Sequence, residues 1–246
     1  MKKLTVLFCV LYSAVFALAA ADRPVLDTAA FLARVRHPTG QQNYARLYGT
    51  VSHLRRGGET VELPIYLGIM LTADRRLSQV IVDNREGYRI GQSYTSGEEG
   101  TTVTPLKEGG YKDSQLGKFG LRPEDLSMAF LYWPLERELA PTTFRTADCR
   151  VLLLKNPENN EAAKVSIAAD YFFPVKVEFF EKISDLSKPV RTMEVERFKE
   201  TANGFWVPTQ LKLQGPGWRT KVEFTEAEAA ELDPKNPPAN VFRSIK

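Results

Sequence analysis

Residues 174–224 read PVKVEFFEKISDLSKPVRTMEVERFKETANGFWVPTQLKLQGPGWRTKVEF, and this stretch decides the fold. Apolar and polar residues alternate in four successive segments that begin near residues 175, 193, 207 and 218. A period of two is typical of β-strands with one buried and one solvated face. Between segments, Asn203-Gly204 predicts a two-residue hairpin turn with positive φ at both residues, and Gly215-Pro216-Gly217 predicts another turn. The stretch therefore predicts consecutive antiparallel strands of one large sheet.

The strand pattern continues on the N-terminal side of this stretch. A hairpin is predicted around Gly57-Gly58, and its second strand is apolar on both faces, so we expect that strand inside the sheet and covered on both sides. About eleven strands are expected in all, with no internal repeat and no linker between domains. The predicted strands outside the opening stretch are Tyr44–Leu54, Thr60–Leu71, Leu77–Val82, a strand through Tyr88 and Ile90, Asp148–Leu154 and Lys164–Ala169.

Two or three helices accompany the sheet. Asp27 is a suitable N-cap for a helix over Thr28–Val35. A second helix is predicted from Arg122 to Trp133, with little polar surface, and one or two helical turns are predicted over Glu226–Glu231. Residues 96–119 are rich in glycine, threonine and charged residues, and no helix or strand is predicted for them.

The first 21 residues have the pattern of a secretory signal peptide. Lys2-Lys3 precedes an apolar run from Leu4 to Leu18, and alanines up to Ala21 offer cleavage sites. Cleavage leaves residues 22–246 as a single domain. The formal net charge falls from +3 to +1 with the loss of the two lysines. A nearly neutral protein has no electrostatic reason to bind nucleic acid.

The sequence carries no recognisable catalytic or metal-binding motif. Neither His37 nor His53 has a partner at zinc-ligand spacing, and we expect His53 at a strand end. The lone mature cysteine, Cys149, is predicted to be a buried, unreactive thiol. We therefore expect no catalytic residue, no metal and no cofactor. A hydrolase that uses carboxylates remains an alternative, with Glu98-Glu99, Glu124-Asp125 and Glu158 as the acidic candidates.

Two arginine pairs, Arg55-Arg56 and Arg75-Arg76, are predicted to lie at loop tips and to be solvated. Large apolar residues instead cluster in the last third of the chain and in the predicted helix before Trp133. They could form the core of a sandwich covered by a helix. They could also line a cavity for acyl chains, enclosed between a strongly curved sheet and helices laid across its opening.

Several sheet and turn motifs resemble those of the outer-membrane lipoprotein-sorting protein family, relatives of the LolA-like periplasmic lipoprotein carriers. The resemblance covers roughly residues 120–246, and the first half only by general layout. The motifs are Asp148-Cys149-Arg150-Val151-Leu152-Leu153-Leu154 with Asn156-Pro157, Phe173-Pro174-Val175-Lys176-Val177-Glu178-Phe179-Phe180, Val195-Glu196-Arg197-Phe198-Lys199, Gly204-Phe205-Trp206-Val207-Pro208, Arg219-Thr220 and Phe224-Thr225.

The resemblance implies a mostly β (α+β) fold in which a single large curved antiparallel sheet forms an unclosed β-barrel, with two or three helices plugging its concave face. It implies a monomeric soluble periplasmic carrier or chaperone for acyl chains or lipidated proteins in outer-membrane lipoprotein sorting, partnered by a membrane-bound exporter or receptor. The alternative is an interaction or sensor module whose interior is filled by its own side chains. The predicted cavity lining is Leu63, Ile65, Leu67, Val175, Val177, Phe179, Leu211, Leu213, Trp218 and Val222, with Phe130 and Trp133 as lid.

Overall fold

The computed structural model describes residues 26–36, 42–94, 100–233, 235–236 and 238–245. The predicted signal peptide, His37 and Glu98-Glu99 lie outside these ranges. The helices are α1 (Thr28–Arg36), α2 (Gln115–Lys118), α3 (Pro123–Leu126) and a 3₁₀ helix (Ala129–Tyr132). The strands are β1 (Asn43–Arg55), β2 (Thr60–Leu71), β3 (Arg75–Val82), β4 (Glu86–Ser93), β5 (Thr101–Pro105), β6 (Leu135–Phe144), β7 (Ala147–Lys155), β8 (Ala162–Ala168), β9 (Phe173–Phe180), β10 (Arg191–Glu200), β11 (Trp206–Gly215) and β12 (Trp218–Glu231).

The strands form one twelve-stranded antiparallel sheet in the order β5-β4-β3-β2-β1-β12-β11-β10-β9-β8-β7-β6. Neighbours in the sheet are also neighbours in sequence, except at the centre, where β1 pairs with β12. Strands β5 and β6 form the two edges and do not pair with each other. The prediction of a single, unclosed antiparallel sheet is confirmed.

The connection from β5 to β6 contains α2, α3 and the 3₁₀ helix, and we call residues 106–134 the plug. Buried plug side chains, among them Leu116, Phe119 and Phe130, belong to the same core as the inner faces of the strands and α1. The continuous helix predicted from Arg122 to Trp133 is wrong. It is divided at Met128, which adopts a left-handed conformation with φ 55°, and this break lets the chain turn across the core.

Three other sequence predictions need correction. Glu226–Glu231 is not helical, because it continues β12 in register with β1 as far as the pair Asn43 and Glu231. The Asn203-Gly204 hairpin is longer than predicted: residues 201–205 link β10 to β11, and within that loop only Gly204 has positive φ. Strands β5 and β6, both mostly exposed edges, were absent from the predicted set.

The prediction that the second strand is covered on both faces is confirmed for residues 65–68, whereas residues 60–62 and Pro64 are exposed. Ile65 and Leu67 of β2 point into the core. On the opposite face, Tyr66 donates a hydrogen bond to the carbonyl oxygen of Val241 at 2.7 Å, and Val241 is itself buried. Gln79 on β3 exchanges two hydrogen bonds with the backbone of Arg243. The C-terminal residues therefore cover the convex side of β2 and β3.

Candidate functional site: an apolar cleft

A cleft of about 440 Å³ opens between α1, the plug and the concave face of the sheet. Helix α1 forms one wall because Phe31, Leu32 and Val35 recur on one helical face and pack into the core. Strands β1, β2, β11 and β12 form its floor. The cleft is lined by Arg34, Val35, Arg36, Asn43, Ala45, Leu67, Ile69, Leu71, Arg76, Leu126, Met128, Leu131, Tyr171, Phe172, Phe173, Pro174, Phe205, Trp206, Val207, Pro208, Leu211 and Ala229.

Exposed aromatic side chains flank the mouth of the cleft. Tyr171, in the turn between β8 and β9, is 78% exposed, and Trp206, at the start of β11, is 65% exposed. Beside them, the guanidinium of Arg34 lies over the Phe172 ring at 5.1 Å from its centroid. Because aromatic residues lose favourable burial energy when they face water, two of them at one opening indicate a contact surface.

The charged residues that line the cleft are all arginines. Arg34 and Arg36 extend from the last turn of α1, and Arg76 extends from β3; no described aspartate or glutamate shares the lining. Arg36 also fixes the plug, since it donates to the carbonyl oxygens of Leu131 at 2.6 Å and Trp133 at 2.7 Å. The cleft thus combines an apolar floor with a positive charge.

The twelve predicted lining residues are distributed over four environments. Leu67 and Leu211 line the cleft. Six are buried in the core beside it: Ile65, Phe130, Val177, Phe179, Leu213 and Val222. Three are partly buried against that core: Leu63, Trp133 and Trp218. Val175 stands outside the core, because a β-bulge between Ser166 and Ile167 of the partner strand interrupts the alternation of β9.

A buried ion pair attaches the plug to the sheet. Asp125 of α3 accepts hydrogen bonds from the Arg191 guanidinium of β10 and from the backbone N–H of Arg122. The Arg191 guanidinium also lies 3.9 Å from the centroid of the Phe179 ring. The side chains of Asp125 and Arg191 are only 2% and 8% exposed, so this contact is shielded from water.

Glu124, the residue before Asp125, lies beside a depression in the surface rather than in an ion pair with the sheet. Glu124 lines a second depression of about 310 Å³, together with Trp133, Asn156 and Glu158. Burial raises the pKa of Glu124. A pair of carboxyl groups beside a depression is what a hydrolase of the glycosidase type requires, so this is where the hydrolase alternative would have its site.

Other candidate groups have structural roles. Cys149 is buried, and burial raises the pKa of its thiol, so the reactive thiolate form is disfavoured. His53 lies near the end of β1, as predicted, and its ring stacks on Phe119 of the plug. Within the described ranges, no cluster of three histidine, cysteine or acidic residues could hold a metal. Nor does any described helix have the length and hydropathy needed to cross a membrane.

Sequence reasoning missed Arg76. The Arg75-Arg76 pair was expected at a solvated loop tip, but both residues belong to β3, where successive side chains point to opposite faces. Arg75 is exposed and pairs with Asp74, whereas Arg76 lines the cleft. The spacing from Arg76 to Val80 and Val82, which share its face, was the available signal.

No protein-family model matches the chain, and the comparison with curated proteins found no relative. Solved structures do match. A DUF1329 family protein from Desulfovibrio piger is 15% identical with a TM-score of 0.59, and the match covers 80% of this chain and 90% of that one.

Two further structures have names that include lipoprotein sorting or LolA. A protein domain from Vibrio parahaemolyticus, named for outer membrane lipoprotein sorting, is 13% identical with a TM-score of 0.55, over 80% of this chain and 88% of that one. A LolA superfamily protein from Nitrosomonas europaea is 12% identical with a TM-score of 0.51, over 83% and 93%. At these identities the similarity concerns the fold. Together with the unclosed sheet and its plug, it shows that this chain has a LolA-like fold.

Proposed function

We propose that this protein is a soluble periplasmic carrier or chaperone that holds an acyl chain, free or attached to a protein, in the apolar cleft. Residues 1–21 would direct export and be removed, leaving residues 22–246 as the working domain. The protein acts by binding rather than by catalysis. The observation that supports this most is the cleft itself, where α1 and the plug stop short of the sheet and leave an apolar floor accessible.

The size and chemistry of the cleft suit such a ligand. Its volume of about 440 Å³ lies within the range of small-molecule sites, roughly 300–1,000 Å³. Each methylene group removed from water contributes about 0.8 kcal/mol, so ten of them would supply about 8 kcal/mol before the cost of association. No hydrogen bond to the hydrocarbon is needed, because the floor residues Leu67, Ile69 and Leu211 offer only dispersion contacts and burial.

The aromatic mouth supports transfer of the ligand. Tyrosine and tryptophan side chains are favoured at surfaces where one side is apolar and the other wet, such as membrane interfaces. Tyr171 and Trp206 line the cleft and are largely exposed, so a chain that enters on their side would pass them. We infer that they contact the membrane-bound exporter or receptor that delivers or accepts the acyl chain, with the outer membrane lipoprotein pathway as the setting.

The alternative is an interaction or sensor module on the same scaffold. Plug residues Leu116, Phe119 and Phe130 pack in one core with the sheet. This filled part of the interior supports the alternative. Such a protein would use its surface rather than its interior. It would purify without bound lipid, and acyl compounds would not compete for its cleft.

A displacement assay tests the carrier proposal. We expect a fluorescent fatty acid to bind the purified protein and palmitate to displace it. We expect Ile69→Trp, which places an indole in the cleft, to weaken binding about tenfold or more, because each excluded methylene forfeits about 0.8 kcal/mol.

The matched control is Met70→Trp, which changes the next residue of β2 on its opposite face. It should bind the probe as the unaltered protein does. Native mass spectrometry of protein taken from the cells that make it should reveal a co-purifying acyl compound. Absence of such a compound, together with failure of every acyl compound to bind, would contradict the proposal.

A further inference from the structure

Arg76 belongs to a polar row at one end of the cleft. Cross-strand register places Asn43 of β1 opposite Leu71 of β2, Leu71 opposite Arg76 of β3, and Arg76 opposite Gln92 of β4. Directly opposed residues point to the same face of a sheet. Val80 shares the face of Arg76 on β3, and Ile90 shares the face of Gln92 on β4. Both are buried in the core, so the row lies on the concave, core-facing side. Asn43, Leu71 and Arg76 line the cleft.

Several polar side-chain atoms in and beside this row are buried without a hydrogen-bond partner. Among the described residues, neither the Nε of Arg76 nor either amide atom of Gln92 has a hydrogen-bond partner, and Gln92 is only 1% exposed. The hydroxyl of Ser78, also fully buried on β3, is likewise unmatched there. Each buried polar group left in this way costs about 1–3 kcal/mol. Of these residues Arg76 lines the cleft, so a ligand there that supplies an acceptor would recover part of that cost.

The charge of Arg76 is not neutralised by nearby acidic side chains. Asp74, the nearest acidic residue in sequence, is held by Arg75 at 2.8 Å and by Thr72 at 2.6 Å. Among the ion pairs of the described residues, the carboxylate of Asp74 is taken by Arg75, and none includes Arg76. Arg36 uses its guanidinium on plug carbonyl groups, and Arg34 stacks on Phe172 at the mouth. Arg76 is therefore the cation best placed to receive an anion inside the cleft.

We infer that the cleft selects a single-chain lipid with an anionic head, a long-chain fatty acid, and that Arg76 binds the carboxylate while the hydrocarbon lies on Leu67, Ile69 and Leu211. This inference rests on the proposed acyl-chain function and adds the chemistry of the head group. The planar guanidinium matches a carboxylate in a two-pronged hydrogen bond, and burial from water strengthens that bond. A volume of about 440 Å³ suits one such chain rather than a lipid with several.

Three sixteen-carbon compounds that differ only in the head test the inference. Palmitate, hexadecan-1-ol and hexadecyltrimethylammonium would each compete, below their micelle-forming concentrations and at pH 8, for a fluorescent acyl probe with a neutral head. We expect palmitate to displace the probe at a concentration about tenfold lower than the alcohol, and the cation to be the weakest competitor.

Variants at neighbouring positions assign the effect to Arg76. Arg76→Met should bring palmitate to the level of the alcohol while the alcohol itself binds as before, and Arg76→Lys should restore part of the preference. Arg75→Met, on the exposed opposite face of the same strand, should retain it in full. Unchanged binding of the alcohol shows that each variant is folded and that its cleft is intact.

The outcomes separate this inference from the proposed function. Equal binding of all three heads, or a preference for the cation, would overturn the fatty-acid assignment and leave the acyl cleft standing. A preference for palmitate that persists in Arg76→Met would overturn the role of Arg76. Failure of all three compounds to displace the probe would overturn the proposed function and this inference with it.

Discussion

His53 illustrates how a single side chain links the plug to the sheet. The Thr220 hydroxyl donates its proton to the carbonyl oxygen of Phe119. Its oxygen can therefore only accept a hydrogen bond from His53, which donates through Nδ1–H at 2.7 Å. The imidazole ring stacks on Phe119 with 5.0 Å between centroids and lies near Trp218. Nε2 is buried without a partner among the described residues. Burial, reinforced by the charge of Arg55, lowers the pKa of His53.

The lowered pKa of His53 predicts a loss of stability in weak acid. Below about pH 6.5 the unfolded chain takes up a proton that the folded chain resists, so the free energy of unfolding falls as the pH drops through that range toward the lowered pKa. The slope cannot exceed about 1.4 kcal/mol per pH unit for one group. Urea unfolding at a series of pH values measures it.

A variant of His53 provides the control for that measurement. His53→Phe keeps the aromatic stack and should remove this part of the slope. Carboxylates such as Glu138, whose pKa is lowered by Arg150, contribute only at lower pH. An identical slope in His53→Phe would show that the buried imidazole is not its source.

At the scale of elements, a buried ion pair holds α3 of the plug to the sheet. It has only four residues, too few for a stable isolated helix, and Pro123 at its start supplies a backbone already set for helix. Asp125 then joins the α3 backbone to Arg191 of β10. Tertiary contacts, rather than helical propensity, keep this segment in place.

Removing one member of that ion pair should therefore be costly. We expect Asp125→Asn and Arg191→Met each to lower the free energy of unfolding by about 3–5 kcal/mol, because each leaves an unmatched buried group. The double variant should cost much less than the sum. Chemical denaturation of the four proteins completes the double-mutant cycle.

An exposed ion pair in the same plug serves as the control. Asp113 and Lys118 are 77% and 46% exposed, so Asp113→Asn should change the unfolding free energy by less than about 1 kcal/mol. Additive effects of the two buried substitutions would contradict the view that Asp125 and Arg191 stabilise each other.

The elements also show where sequence patterns suffice and where they fail. Strand β11 and the first part of β12, as far as Phe224, follow from regular alternation of apolar and polar residues, because one face of the sheet is apolar there. Position 128 gives no such signal: a methionine adopts φ 55° only because the surrounding plug holds it there. The alanine and glutamate residues at 226–231 favour a helix locally, but pairing with β1 overrides that preference. The cleft depends on these non-local choices, so its location was not predictable.

For the whole molecule, the centre of the sheet is where the first and the last described strands, β1 and β12, pair. Thirteen positions of β1, from Asn43 to Arg55, find partners on β12, with an irregularity between Tyr48 and Gly49. A Cβ atom added at Gly49 would lie 1.9 Å from the carbonyl oxygen of Glu223, which is backbone and cannot rotate away. The seam between β1 and β12 therefore requires glycine at this position.

Gly49→Ala should destabilise the molecule as a whole. We expect the free energy of unfolding to fall by about 3 kcal/mol or more, since overpacking against backbone cannot be relieved by side-chain motion. Gly58→Ala is the control, because its added Cβ would find its nearest neighbour at an ordinary 3.5 Å. Thermal unfolding of both variants measures the effect, and equal melting temperatures would contradict it.

This seam also governs when the protein can fold. Strand β12 follows every other described strand along the chain, so strands β1 to β5 keep an unpaired β1 edge until residues 218–231 are available. The middle of the sheet is thus the last part whose pairing can be completed. Any condition that delays residues 218–231 should therefore leave the backbone groups of β1 open to pairing with a strand of another molecule.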